Sequence, residues 1–323
     1  MPTAENAKLD YEAGQSATAM SALTDSGDHT TYTSAATLWS RRSGYTPVIR
    51  PNGLLTGGAV STHASNDTVT VAAMTLNLNG VVTTVNAGTA TITRGVSTDT
   101  HNITSITINS SGVITAVAGT DHTAFSETRG ATGGPPLIPT TSVEIAQVRT
   151  TTTSAAAVAT SEIFQVVGLH TERADYPLYE VDYSSGSITF YDDLPLIHTG
   201  PVPKAVLASY SAPIFAEVPL ASDFVPPETT HSVTSTQVYN ATIGSTSSTL
   251  NQGSFTAYLQ NGVSDPMVTL KNENLWFRFY PDRYQSSYML CQGKLGIART
   301  FPAGDSIQAA CTISADEAVT EVS

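Results

Sequence analysis

Residues 288–313, YMLCQGKLGIARTFPAGDSIQAACTI, decide the fold class. Met289, Cys291, Gly293, Leu295 and Ile297 alternate with Gln292, Lys294 and Gly296. After Pro302-Ala303-Gly304-Asp305, residues Ile307, Ala309, Cys311 and Ile313 alternate with Gln308, Ala310 and Thr312. Period-two alternation on either side of a proline-glycine turn predicts an antiparallel hairpin with one face buried. Just upstream, Leu275, Phe277 and Phe279 fall in one phase and Trp276, Arg278 and Tyr280 in the other. The first set is read as core. Aromatic residues and arginine on the opposite face are typical of protein contacts. Either a second layer of the same domain or a neighbouring subunit covers that face, and Trp276, Arg278 and Tyr280 are the candidate subunit interface.

Composition agrees with strands. Only 13% of the 323 residues are charged, against roughly 25% in an ordinary soluble domain. Threonine and serine fill much of the remainder, and threonine's branched Cβ suits a pleated strand. The expected class is all-β. Sparse charge also fits a surface that copies of the chain cover, because charge is depleted in the centres of interfaces. The 27 acidic and 14 basic residues give a net charge of −13, and the longest basic run is Arg41-Arg42. Nucleic-acid binding, which rests on a basic surplus, is disfavoured. No apolar run reaches the roughly 20 residues of a membrane-spanning helix.

Three segments are expected. Residues 1–55 read as an N-terminal arm or extended segment. Leu9, Ala13, Ala17, Met20 and Leu23 have rough helical spacing there, weakened by Gly14. Residues 56–150 read as a small β-sandwich, with strands from about 66 to 148. The phase flip between Val69-Val71 and Met74-Leu76-Leu78 demands a break at Ala72–Ala73. Asn79-Gly80 signals a tight hairpin, and Ser110-Ser111-Gly112 another, between Ile106-Ile108 and Ile114-Ala116. A strand follows from Val143 to Val148. Residues 150–160 read as a linker or a connecting strand. Residues 151–323 form the second β domain: Tyr179-Val181-Tyr183 turns at Ser184-Ser185-Gly186 into Ile188-Phe190, and Val206, Ala208 and Tyr210 continue the meander. Residues 232–259 are polar on both faces, with 244–248 as the expected turn. Such a pair must face water on both sides or be covered by another chain.

Chemistry-bearing patterns are few. The seven histidines (His29, His63, His101, His122, His170, His198, His231) show no metal-ligand spacing and are expected on the surface or in loops. Asp192-Asp193, next to Pro195, reads as a turn cap. Gly304-Asp305-Ser306 closes a hairpin and lacks the strand-turn-helix setting of a nucleophile. Asp25 and Asp28 lack the rest of a calcium loop. The chain is therefore expected not to be an enzyme, with no catalytic, cofactor-binding or metal residues. Cys291 and Cys311, on apolar faces of adjacent strands, are read as reduced core thiols. The N-terminus lacks a signal-peptide pattern, so the sequons at Asn66, Asn102, Asn109 and Asn240 carry no weight.

The 288–319 stretch resembles the C-terminal strands of major tail proteins of long-tailed bacteriophages. The segment 179–210 is similar to a meander frequent in phage tail components, and residues 66–148 resemble small β-domains carried on tail and fibre proteins. The resemblance implies an all-β tail-tube subunit: an antiparallel sandwich or barrel at 151–323 with an added, outward-facing sandwich at 56–150. It further implies hexameric rings stacked into a tube, with other tail proteins as partners and the genome passing through without specific binding. The protein would be made in the host cytoplasm and end in the virion tail, without a membrane or a cofactor. An acidic lumen would repel passing phosphates, and the hairpin at 232–260 is assigned to that lumen. Two alternatives share the composition. One is a tail fibre or adhesin-like protein whose Tyr176, Tyr179 and Tyr183 meet surface glycans. The other is a capsid or head-tail joining protein.

Overall fold

The computed structural model describes residues 6–323. The chain is 52% strand and 3% helix, so it is all-β. It divides into two compact units, with boundaries at 17/18, 37/38, 46/47 and 209/210.

The first unit takes residues up to 17, 38–46 and 210–323. Its sheet runs, in spatial order, Ala221–Val225, Gly253–Leu259, Ile307–Ala315, Tyr288–Thr300, Asn274–Tyr280, then the start of Lys8–Ala22 and the end of Val206–Glu217. The 288–313 hairpin forms as its alternation dictates, with Leu295 opposite Ile313 and Ile297 opposite Cys311. One face buries Leu275, Phe277, Cys291, Leu295, Cys311 and Ile313 in a single core, and each large apolar side chain contributes about 1.5–3 kcal/mol. Gly293 is needed for close approach: a Cβ there would stand 2.7 Å from Ile313 Cγ2 and 2.8 Å from the Ser314 carbonyl carbon.

Residues 8–22 are extended but belong to folded units, and the rough helical spacing from Leu9 to Leu23 marks no helix. They form a strand whose start pairs with Asn274–Tyr280, with Leu9 opposite Phe279 and Tyr11 opposite Phe277. Leu9 and Tyr11 both enter the core, so their two-residue spacing, not the wider one, carries the burial.

The second unit takes residues 18–37 and 47–209. Three of its sheets share one core built from Leu54, Val69, Leu76, Ile106, Val148 and their neighbours. These sheets are Gly53–Gly57 with Met74–Leu78 and Val81–Val85, Gly88–Thr91 with Thr68–Val71 and Val60–Thr62, and the four strands around Asn102–Ile108 and Val143–Thr150. The break at residues 72–73 carries the chain from one sheet to another. Asn79 and Gly80 both adopt positive φ, 50° and 79°, and join Leu78 to Val81 as the turn chemistry requires.

Two expectations are revised here. The boundary near residue 150 does not divide compact units, since Ile163–Phe164 pairs with Val143–Thr150 and residues up to 209 fold with it. The meander at 179–210 stops after its first hairpin. Ser187–Phe190 takes Thr31–Thr33 as its second neighbour, while residues 206–209 pair with Val48–Pro51.

Candidate functional site

In the first unit, the strand pair at 229–250 stands apart. Thr229–Val238 and Ala241–Leu250 pair along their full length, from Thr229 opposite Leu250 to Val238 opposite Ala241. They form a two-stranded sheet with no third neighbour among the described residues, and every residue from 229 to 249 is exposed. The hairpin contains no Asp, Glu, Lys or Arg. Its turn is Tyr239-Asn240, with Asn240 at φ 65°, and not 244–248, which lies inside the second strand. The polar segment also ends earlier than expected. Gly253–Leu259 alternates buried and exposed and pairs with Ile307–Ala315 in the core sheet. A two-stranded hairpin with both faces wet is marginal by itself.

Trp276, Arg278 and Tyr280 lie on one face of Asn274–Tyr280, as the alternation required, but that face is covered from within the unit. Trp276 is 5% exposed, and its Nε1 donates to the Trp39 carbonyl at 2.9 Å. Buried Glu12 fastens the same layer: one carboxylate oxygen accepts from Ser40 Oγ, the other from the Trp276 backbone N–H at 3.2 Å. Trp39 stacks on Tyr210 at 5.0 Å. Arg278 lies 3.8 Å over the Phe215 ring, and Tyr280 packs on Tyr288 at 5.2 Å. Trp276 is thus a core residue under the 38–46 segment. Arg278 and Tyr280 are half-buried and engaged by their own chain.

Cys291 and Cys311 are free and buried. Cys311 faces Ile297, six residues along the strand from Cys291, or about 20 Å at strand rise, well beyond disulfide reach. Burial pushes both thiols up to about 12.

The second unit holds a concentration of buried charge with a cleft beside it. Glu144, on Val143–Thr150, accepts from Arg129 Nη2 at 2.5 Å and from Ser105 Oγ. The Glu144 backbone N–H donates to Glu172 Oε2 at 2.7 Å. Glu172 Oε1 accepts no hydrogen bond and lies 3.6 Å from His198 Nε2. Lys204, 5% exposed, donates to the carbonyls of Arg173 and, at 2.9 Å, Tyr176.

Burial lifts the Glu172 carboxyl far above the usual carboxylate range, against the pull of the Glu144 N–H and the Lys204 charge. Burial also holds Lys204 well below the ordinary lysine range, with Glu172 opposing. Glu144 is raised by burial, with Arg129 opposing. His198 is lowered by burial. His198 and His170 are both buried, contrary to the expectation of surface positions, because each side chain takes a place in this polar interior.

Glu144, Glu172 and Lys204 line a cleft of about 430 Å³ whose other walls include Tyr176, Leu169, Asp192 and Asp193. The two aspartates are exposed and are not turn caps. The flanking chain is pinned instead by Tyr191 N to the Leu178 carbonyl and Leu194 N to the His29 carbonyl. Of the three tyrosines named for glycans, Tyr176 alone lines the cleft, while Tyr179 packs against Phe190 at 5.4 Å. Sequence spacing could not reveal this site, whose members span residues 144–204 without a local pattern. Among the described residues no group of three or more His, Cys, Asp or Glu is arranged to hold a metal ion, and no described helix is long and apolar enough to cross a membrane. No protein-family model matches the chain, and no curated protein matches it.

Proposed function

We propose that this chain is a structural virion protein, a tail-tube subunit that assembles into stacked hexameric rings around a channel for the genome. The observation that carries the reading is the free-standing hairpin at 229–250. Ten residue pairs hold it together, yet it buries no face, and both outer edges offer unpaired backbone donors and acceptors. Soluble proteins rarely leave long edges open, because such edges recruit other strands. A second copy of the chain satisfies them. The absence of charge along the hairpin lets it lie in an interface without desolvating ions.

This assigns the hairpin to a joint between subunits. An acidic lumen would come from other surfaces of the −13 chain, since no acidic residue lies on the hairpin. The strands at 288–315 carry the residues on which the resemblance to tail proteins rests, and Thr320–Val322 pairs back onto residues 288–290. Negative-stain imaging of purified protein over a concentration series tests the reading. Rings or filaments of uniform width are expected. A monodisperse monomer at every concentration refutes it, and a trimer without lateral stacking points to a fibre.

A further inference from the structure

The cleft in the second unit has the chemistry of a ligand site, independent of whether the chain polymerises. Its polar groups are unequally used. Among the described residues the carboxylates of Asp192 and Asp193 make no hydrogen bond or ion pair, and Glu172 Oε1 accepts no hydrogen bond, with His198 Nε2 standing 3.6 Å away. Lys204 spends two of its three N–H donors on backbone carbonyls. Beside them, Tyr176 is 44% exposed, and its ring is seated on Gly168, where a Cβ would stand 2.5 Å from Tyr176 Cε1. The 166–171 turn beneath it is closed by Gly168 N to the Thr171 carbonyl and His170 N to the Val166 carbonyl, at 3.0 and 2.8 Å. The backbone under the aromatic ring is thus held by its own hydrogen bonds.

Each simple ligand class conflicts with part of this lining except one. An anion meets two free aspartates. An organic cation meets the Lys204 ammonium in the same cleft. A purely apolar ligand would dehydrate carboxylates and give nothing back. A pyranose offers hydroxyls that both donate and accept, and a C–H face suited to the negative face of an aromatic ring. We propose that the cleft binds a neutral saccharide, with Tyr176 stacked on the sugar face, Asp192 and Asp193 accepting from its hydroxyls, and Lys204 donating to one of them. The volume, about 430 Å³, lies in the range of small-ligand clefts.

Saturation-transfer NMR and isothermal titration of the full chain with maltotriose, cellotriose, N-acetylated chitotriose and galactotriose test this, with spermidine as the cationic probe. At least one trisaccharide is expected to bind with a Kd of about 1 mM or below. Tyr176→Ala and, separately, Asp193→Asn should weaken it by about tenfold or more. Asp193 is exposed, so its variant retains the fold and keeps the test valid even if Tyr176→Ala proves unstable. Transfer to none of the four sugars, tighter binding of spermidine than of any sugar, or unchanged affinity in Asp193→Asn overturns the proposal. Because binding is read on whatever oligomer the chain forms, its failure is separable from failure of the tube reading.

Discussion

Deleting residues 230–249 and joining Thr229 to Leu250 through two glycines separates assembly from folding. Thr229 and Leu250 are directly paired, so a short turn spans them without moving either neighbour. The excised residues are exposed throughout, and none belongs to the core around Phe277 and Leu295. Loss of exposed residues away from packing and caps changes stability by roughly ±0.5 kcal/mol. For a chain above 150 residues that is a shift in Tm of about 1–2 °C. Shortening the connection from twenty residues to two is more than three halvings, a loop-closure gain of up to about 2 kcal/mol at about 0.6 kcal/mol for each. Thermal melting followed by circular dichroism should therefore show a midpoint equal to the parent's or a few degrees above it, while light scattering and negative stain should show subunits in place of rings or filaments. Two results refute the reasoning. A loss of more than about 3 kcal/mol would mean that the hairpin supports its own fold, and undiminished polymerisation would mean that it is not the joint.

Trp276→Ala should destabilise the isolated subunit by about 3–5 kcal/mol, read by chemical denaturation, because Trp276 is buried beneath Trp39 within one unit; an unchanged midpoint would return it to the role of an interface residue. Both thiols should resist Ellman's reagent at pH 8 in the folded protein and react fully in guanidinium, since burial holds them protonated up to about 12 and the thiolate is the reactive form. The raised Glu172 carboxyl contributes stability that is complete below its ordinary value of 4.5 and is lost as pH rises through the folded value. Glu172→Gln should accordingly gain on the parent between pH 5 and about 8, the folded value of the carboxyl, with a slope of up to about 1.4 kcal/mol per pH unit. The neighbouring groups Glu144, Arg129, His198 and Lys204 are common to both proteins, and a pH-independent difference would sink the assignment.

Local hairpins were legible because strand period and turn chemistry act over a few residues. Asn79-Gly80, Ser110-Ser111-Gly112, Ser184-Ser185-Gly186 and the 302–305 turn each sit between the strands that the alternation marked. Long-range partnership was not legible. Residues 8–11 pair with 277–280, and nothing near Leu9 announces a partner so distant in sequence. The 229–250 hairpin shows the limit most clearly: with serine and threonine on both faces, no stripe fixes the register. The glycine-serine run at 244–248 then outweighed Asn240, the residue that takes positive φ. Burial of Trp276 followed from its phase, but the identity of its cover depended on residues 38–46. The cleft was hidden for another reason. Glu144, Glu172 and Lys204 are charges in an interior, and only tertiary structure reveals which charges have been taken out of water.

The chargeless finger at 229–250 carries one further consequence. Contacts built from lysines and carboxylates loosen as added salt shortens the Debye length from about 10 Å at 0.1 M to 3 Å at 1 M. A contact made by backbone amides and hydroxyls has no such dependence, and His231 is the single ionisable group along its two strands. Whatever this finger grips should stay gripped from dilute buffer to brine, so that a particle built on it tolerates the ionic swings between the inside of a cell and open water.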